Sequence, residues 1–274
     1  MRIKIRTSKA AIWARRLGSI AVPLLVLPVL MHRERYIDSG LFLVLIVFAA
    51  AVAALAVLLA LLALVRLWFS GDQGWGRAIG GLVLGLFCLA PFGWYGALAL
   101  RYPAITDIAT APRSELPLLF EPDTAAMAAP RVATAAEQQN VFPNAETRTY
   151  PLDVVQLFGL VNRLAEANDW DMRLRSEPAD VTAEGRINAR IVTWTGWPEE
   201  VVLRVRPAGA GGQVDMRSAS IGAPLDFGSN GTRISGFLVA LDAEVTAFMR
   251  DNPTITAAPA DDDAVPDVET GNGD

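Results

Sequence analysis

From Ser39 to Val65 the chain runs 27 positions without an Asp, Glu, Lys or Arg. About 20 apolar residues in helical form cross the hydrocarbon core of a bilayer. A single segment in lipid must satisfy its own backbone hydrogen bonds, which a helix does. The run therefore predicts a transmembrane helix over about 40–68. Ala78 to Leu100 is uncharged for 23 positions and predicts another over 78–100. Trp68, Phe69, Trp75, Trp94 and Tyr95 sit near the edges of these runs, where amphipathic rings meet headgroups. Leu17–Met31 is uncharged for only 15 residues and holds Pro23 and Pro28. It predicts a third span, over about 12–32, provided that Ala11–Arg16 extends the helix and Arg15 and Arg16 reach back to the headgroups. An interfacial or re-entrant piece is the alternative. No small-residue cleavage site precedes the His32-Arg33-Glu34-Arg35 cluster, so a retained helix is favoured over a signal peptide.

Charge divides the chain at the same place. Residues 1–101 carry a net +8 and residues 102–274 a net −13. Residues 1–101 are thus expected as a membrane anchor. The six positive charges Arg2, Lys4, Arg6, Lys9, Arg15 and Arg16 place the N-terminus in the cytoplasm. Three spans then carry the acidic part across, whereas two would keep it inside. The short loops hold two arginines each, Arg33 and Arg35 against Arg66 and Arg77, and do not break the tie. The expected location is a bacterial inner membrane, multi-pass, with a periplasmic soluble domain.

Residues 102–145 carry prolines at 103, 112, 117, 122, 130 and 143 without a sustained period, which predicts a Pro/Ala-rich linker along the domain surface. Residues 146–250 predict a small α+β domain. Val154, Leu157, Phe158, Val161, Leu164 and Ala165 fall on one face of a helix over Asp153–Ala167, with Pro151 in its first turn and Asn168 at its end. Strands follow at Trp170–Arg175, Gly185–Trp194, Glu200–Arg206 and Gln213–Ser218, with a turn at Gly211–Gly212. Ile234–Met249 predicts a second helix, its apolar face formed by Phe237, Leu238, Leu241, Val245 and Phe248. The fold class is an antiparallel sheet with two helices on one face, behind a three-helix membrane anchor. Residues 251–274 are expected as a disordered acidic tail.

Residue scarcity removes whole chemistries. The one cysteine, Cys88, lies in an apolar run; the one histidine is His32; lysine occurs only at Lys4 and Lys9. Ser-His-Asp and Cys-His catalysis, multi-His metal centres and a Schiff-base lysine are excluded for the soluble part. Its negative charge opposes nucleic acid. No catalytic residue, metal or cofactor is assigned.

The densest polar cluster joins Arg217, Ser218 and Ser220 at a strand end to Asp226, Asn230 and Arg233 at a helix start. Ser229 or Asn230 suits a helix N-cap. Arg217 and Arg233 flank Asp226, which allows an Arg–Asp–Arg bracket, and free N–H groups beside an arginine suit an anion. Mutual satisfaction of these groups, pinning the loop to the sheet, is the favoured interpretation. Three other features stand out. Gly80, Gly81 and Gly85 give one span a small-residue stripe for close helix packing. Asp169 and Asp171, around Trp170, are a carboxylate pair or solvated turn residues. Trp194 and Trp197 are a wedge near the bilayer or a strand-end pair.

The residues Arg217, Ser218, Ser220, Asp226, Gly228, Asn230 and Arg233 resemble the signature of the family called domain of unknown function 1499, in which an Arg-Ser-x-Ser-Arg run precedes Asp-x-Gly-x-Asn-x-x-Arg. Asp107-Ile108-Ala109-Thr110 is similar to an Asp-Ile-Thr-Thr element of its membrane-anchored bacterial members, which also carry three N-terminal spans. Ile221 stands where the second arginine is usual, and the proline-rich stretch after the Asp-Ile element is altered to Arg113-Ser114-Glu115-Leu116-Pro117. The resemblance covers about 101–250. It implies a fold and a location, and no reaction. The expected function is a non-enzymatic periplasmic binding or interaction domain on a lipid-embedded anchor, with an envelope protein or an amphiphile as partner. The alternative is an anion-binding or hydrolytic enzyme using Arg217, Ser218, Ser220, Asp226 and Arg233.

Overall fold

The computed structural model describes residues 7–209 and 211–252. The chain beyond 252, including nearly all of the expected acidic tail, lies outside the described residues, as do the first three of the N-terminal positive charges.

Three helices, α1 (Lys9–Arg33), α2 (Ser39–Ser70) and α3 (Trp75–Arg101), are each long and apolar enough to cross a membrane. The chain is a membrane protein with a soluble domain. The bundle has its small residues inside and its large ones outside. Ala49, Ala53, Ala56, Ala60 and Ala63 form the buried stripe of α2, while Val44, Val47, Phe48, Leu58 and Leu62 face outward. In lipid there is no hydrophobic reason to hide Leu or Phe, and close backbone approach becomes the main gain. The glycine stripe of α3 serves this packing within the bundle. A Cβ on Gly81 would lie 2.5 Å from the Ala14 carbonyl carbon, and one on Gly85 would lie 3.0 Å from the Ala53 carbonyl oxygen. Pro23 and Pro28 are both accommodated within α1.

The helices alternate in direction. Ser8, at the start of α1, donates its N–H to Gln73 before α3 (3.0 Å), and Ala11 packs on Leu67 and Ala78. At the other end, His32 of α1 stacks on Phe42 of α2 (4.4 Å between ring centres) and both touch Trp197 of the soluble domain. The start of α1 and the soluble domain therefore occupy opposite ends of the bundle.

The soluble domain is an antiparallel six-stranded sheet in the order β1-β6-β5-β4-β3, with β2 also on β6. Its strands are β1 (Asp107–Ala109), β2 (Arg148–Tyr150), β3 (Asp171–Ser176), β4 (Gly185–Val192), β5 (Pro198–Ala208) and β6 (Gly211–Ser220). β1 and β2 share one edge, pairing with opposite halves of β6. Gly211 and Gly212 belong to β6, opposite Ala208 and Pro207; the turn expected at this pair falls one step earlier, where Gly209 has φ +57°. A short helix α4 (Ala135–Val141) and the longer α5 (Val154–Ala167) and α6 (Ser229–Asp251) complete the domain. α5 is capped by Asp153, whose side chain accepts the Gln156 N–H at 2.8 Å, so Pro151 precedes the helix rather than opening it.

Period two sorts the strands. Val201, Leu203, Val205, Val214 and Met216 face α5 and α6 and bury Leu157, Phe158, Val161, Leu238 and Leu241 in the main core. The alternate residues face the other way and are covered by residues 111–124. There Leu116 and Leu118 bury against Val202 and Ala219. The Glu200 carboxylate takes the N–H groups of Leu119 (2.8 Å) and Phe120 (3.1 Å), and Asn188 donates to the Pro117 carbonyl (3.1 Å). Part of the Pro/Ala-rich segment, residues 111–124, is thus the second wall of the sheet, while Ile105, Ile108, Ala133 and Phe142 of the same segment join the main core; each proline's missing donor falls outside any ladder.

Candidate functional site

Strand alternation splits the expected cluster between the two sheet faces. On β6, Ser218 and Ser220 point toward α6, and Arg217 points away. Arg217 makes a two-pronged bond to Asp107 (3.0 and 2.9 Å) and donates to the Leu116 carbonyl at 2.8 Å. Arg113 reaches the same carboxylate at 2.9 Å. An Arg–Asp–Arg bracket exists, but around Asp107 and not Asp226. This corrects the bracket expected from sequence: neighbours one apart on a strand cannot share a face. The same face holds Asp215, opposite Arg204 in register, which bonds Arg204 (2.7 Å), Thr147 (2.7 Å) and Gln213 (3.0 Å). Burial pushes the Asp215 carboxyl up, but these bonds outweigh it and hold it below the ordinary aspartate range.

The helix-facing half is one network. Asn230, fully buried, donates its amide to Asp226 (2.9 Å), Ser220 (2.9 Å) and the Thr106 carbonyl (3.2 Å). Its carbonyl accepts from Ser218 (2.7 Å) and Arg233 (3.2 Å). Arg233 also bonds Ser218 (2.8 Å) and pairs with Glu199. Glu199, 1 % exposed, takes the hydroxyls of Ser220 (2.7 Å) and Ser229 (3.1 Å). Sequence reading missed Glu199. Its signal was an acid on the core-facing side of an otherwise apolar strand, in line with Val201, Leu203 and Val205.

Asp226 organises the loop before α6. One of its oxygens accepts the Gly228 N–H (2.9 Å) and the other accepts the Asn230 N–H (3.3 Å). The residue preceding α6 is Gly228, without a side-chain cap, so neither Ser229 nor Asn230 is the N-cap; the Asp226 carboxylate does that work from two residues earlier. Gly228 has φ +82°, and a Cβ there would lie 2.7 Å from the Tyr102 ring. Only glycine fits both demands. Burial raises the Asp226 carboxyl above the ordinary aspartate range, and the charge of Glu199 adds to this, against three N–H donors. Among the described residues no arginine, lysine or histidine pairs with it.

Residues 117–241 match the family model described as protein of unknown function (DUF1499). Over that stretch the soluble domain is similar to this family. Neither a curated protein nor a solved structure matches the chain. All seven signature residues lie inside the DUF1499 match, and the Asp107 element lies before it. Ile221, which replaces the second arginine of the signature, is fully buried.

The network opens on a cavity of about 530 Å³ between the domain and the near ends of α1, α2 and α3. Leu25, Val29, Leu43, Ile46, Phe92 and Leu98 supply apolar wall, and Glu199, Ser220, Asp226 and Ser229 line the domain end. The β4–β5 hairpin closes one side. Trp194 donates to the Tyr95 hydroxyl at 2.6 Å, and Trp197 packs on His32 and Phe42. The Thr195 carbonyl lies 2.6 Å from His32 Nδ1, which must donate to it, so the other ring nitrogen of a neutral His32 accepts from Ser39 at 3.1 Å. The two tryptophans thus join the domain to its anchor. Asp169 adopts φ +54° in the turn before β3, and Asp171 pairs with Arg173 at 3.0 Å, so the two carboxylates do not form a joint site.

Proposed function

We propose that this protein is a non-catalytic binding protein of a bacterial inner membrane, which holds an amphiphile between its membrane bundle and a periplasmic domain. One observation carries the reading: the cavity has apolar walls from all three spanning helices and a polar end formed by the signature residues Ser220 and Asp226 together with Glu199 and Ser229. A volume of this size is typical of small-molecule sites, which combine apolar lining with a few placed polar groups. The polar end also explains why Ser220, Asp226 and Asn230 form one hydrogen-bonded network: a rigid polar wall orients a head without moving. The alternative enzyme loses its joint cluster, because Arg217 faces the opposite side of the sheet.

Gly96 lines the cavity, and a Cβ there meets nothing within 4 Å. Native mass spectrometry of the detergent-purified full chain is expected to show a bound amphiphile mass that Gly96→Phe removes. A bare wild-type protein, or an unchanged adduct in the variant, contradicts the reading. The periplasmic placement is supported by the basic start of the chain and by the opposite ends of the bundle described above. Asp180 is exposed on the domain, and Cys88 is buried. Asp180→Cys should therefore react with a membrane-impermeant maleimide in intact spheroplasts. Labelling only after lysis puts the domain in the cytoplasm.

A further inference from the structure

We infer that the amphiphile in this cavity has a single chain and a primary ammonium head, seated against Asp226 and Glu199. This rests on the amphiphile reading above and narrows it. The argument begins with volume. About 530 Å³ at roughly 30 Å³ per water-sized group holds on the order of twenty non-hydrogen atoms. That suits one alkyl or prenyl chain and a small head better than the two chains of a phospholipid.

Hydrogen-bonding capacity selects the head. A carboxylate accepts about four hydrogen bonds. Asp226 receives three, from the Gly228 N–H, the Asn230 N–H and the Asn230 amide. Glu199 also receives three, from Ser220, Ser229 and Arg233. Each carboxylate therefore keeps an accepting position. The hydroxyls of Ser220 and Ser229 are both committed to Glu199. The domain end of the cavity thus offers acceptors, and the matching head is a donor.

Charge then separates an ammonium from an alcohol. Two carboxylates line the cavity, and among the described residues no arginine, lysine or histidine does. Glu199 is neutralised by Arg233, while Asp226 is 8 % exposed and pairs with no cation among the described residues. A buried carboxylate without a counter-charge is unfavourable, and burial has already raised its affinity for a proton. An ammonium group supplies both the charge and the donors. A fatty acid or alkyl phosphate would instead bring a further negative charge to the same corner.

The test uses the full-length protein in phosphatidylcholine nanodiscs. Dodecylamine, dodecanol and dodecanoate, each brominated at the chain end, are titrated, and quenching of the lining residues Trp94, Trp194 and Trp197 is followed. Specific binding is the part that Gly96→Phe and, independently, Ala99→Phe abolish. The amine is expected to bind at least about tenfold tighter than the alcohol, and the alcohol tighter than the carboxylate, with Asp226→Asn costing the amine at least about tenfold. If that variant fails to fold, the ranking in the wild-type protein decides. Equal affinities, or an alcohol or carboxylate ahead of the amine, overturn the head-group assignment and leave the cavity reading standing. Quenching that neither cavity-filling variant reduces overturns both.

Discussion

Asp215, on the outer face of the sheet, and Asp226, at the mouth of the cavity, are both nearly inaccessible, at 0 % and 8 % exposure. Asp215 is met by the guanidinium of Arg204 across the strand pair and is held ionised. Asp226 is met only by N–H dipoles, and its carboxyl is pushed up. The outer face was built to be closed: Asp107, Arg217, Arg204 and Asp215 are buried beneath residues 111–124, and Arg113 of that segment reaches down to Asp107. The helix face leaves the Asp226 carboxyl without a counter-ion among the described residues, where the domain meets a hollow. Complete pairing belongs to structure, and incomplete pairing beside a cavity belongs to binding.

Substitutions that cross this line should behave differently, and the largest effect lies on the outer face. Asp215→Ala leaves the buried Arg204 with only the more exposed Glu115 as a partner and should destabilise the full chain by on the order of 3 kcal/mol, read from denaturant unfolding followed by Trp fluorescence. A loss below about 1 kcal/mol would mean that the outer-face charges are effectively solvated. Next comes Gly228→Ala, which forces a side chain into a left-handed position against Tyr102 and should cost about 1–3 kcal/mol. Wild-type stability in this variant would separate the loop from the site it shapes. Asp226→Asn should change unfolding free energy by only about 1 kcal/mol, while amine binding falls. A loss comparable to that of Asp215→Ala would erase the distinction between the faces.

The smallest effect is a pH dependence of opposite sign. The lowered carboxyl of Asp215 contributes stability that is present above the unfolded aspartate value of about 3.9 and is lost as pH falls through its folded value. The raised carboxyl of Asp226 makes the folded state bind the proton more tightly than the unfolded state, so stability declines as pH rises from about 3.9 through its folded value. Asp226→Asn should flatten that decline, and Asp215→Asn should remove the loss on the acid side. Unfolding free energies between about pH 3 and pH 7 check both slopes; parallel curves for the two variants would contradict the assignment.

Hydropathy made the bundle legible, because an uncharged run of 27 residues has few physical outlets. Period two and period 3.6 likewise placed β3 to β6, α5 and α6 to within a few residues. The signature residues were legible as a group, yet their division was not. Arg217 and Ser218 are neighbours in sequence and opposites across a sheet, and Asp107, the true partner of Arg217, is far upstream. Glu199 escaped notice because the strand was expected to begin only at Glu200; its alternation with Val201, Leu203 and Val205 was the available signal, and the register opposite Ser220 places it in the core. Residues 111–124 lacked a period because they form no regular element, although Leu116 is fully buried and Leu118 nearly so. The cavity was beyond sequence altogether, since it lies between helices and a domain that meet through a hairpin and a loop.

A photoreactive alkylamine carrying a diazirine at its chain end, bound to the full-length protein in nanodiscs and mapped by peptide mass spectrometry, tests the cavity most directly. Labelling concentrated on the cavity walls, around Leu25 and Val29, Leu43 and Ile46, and Phe92 and Leu98, and lost in Gly96→Phe, is the expected result. Labelling spread over the outward-facing Val47, Phe48 and Leu58, and unchanged by that substitution, would show an amphiphile that sees only the outside of the bundle and would contradict the account.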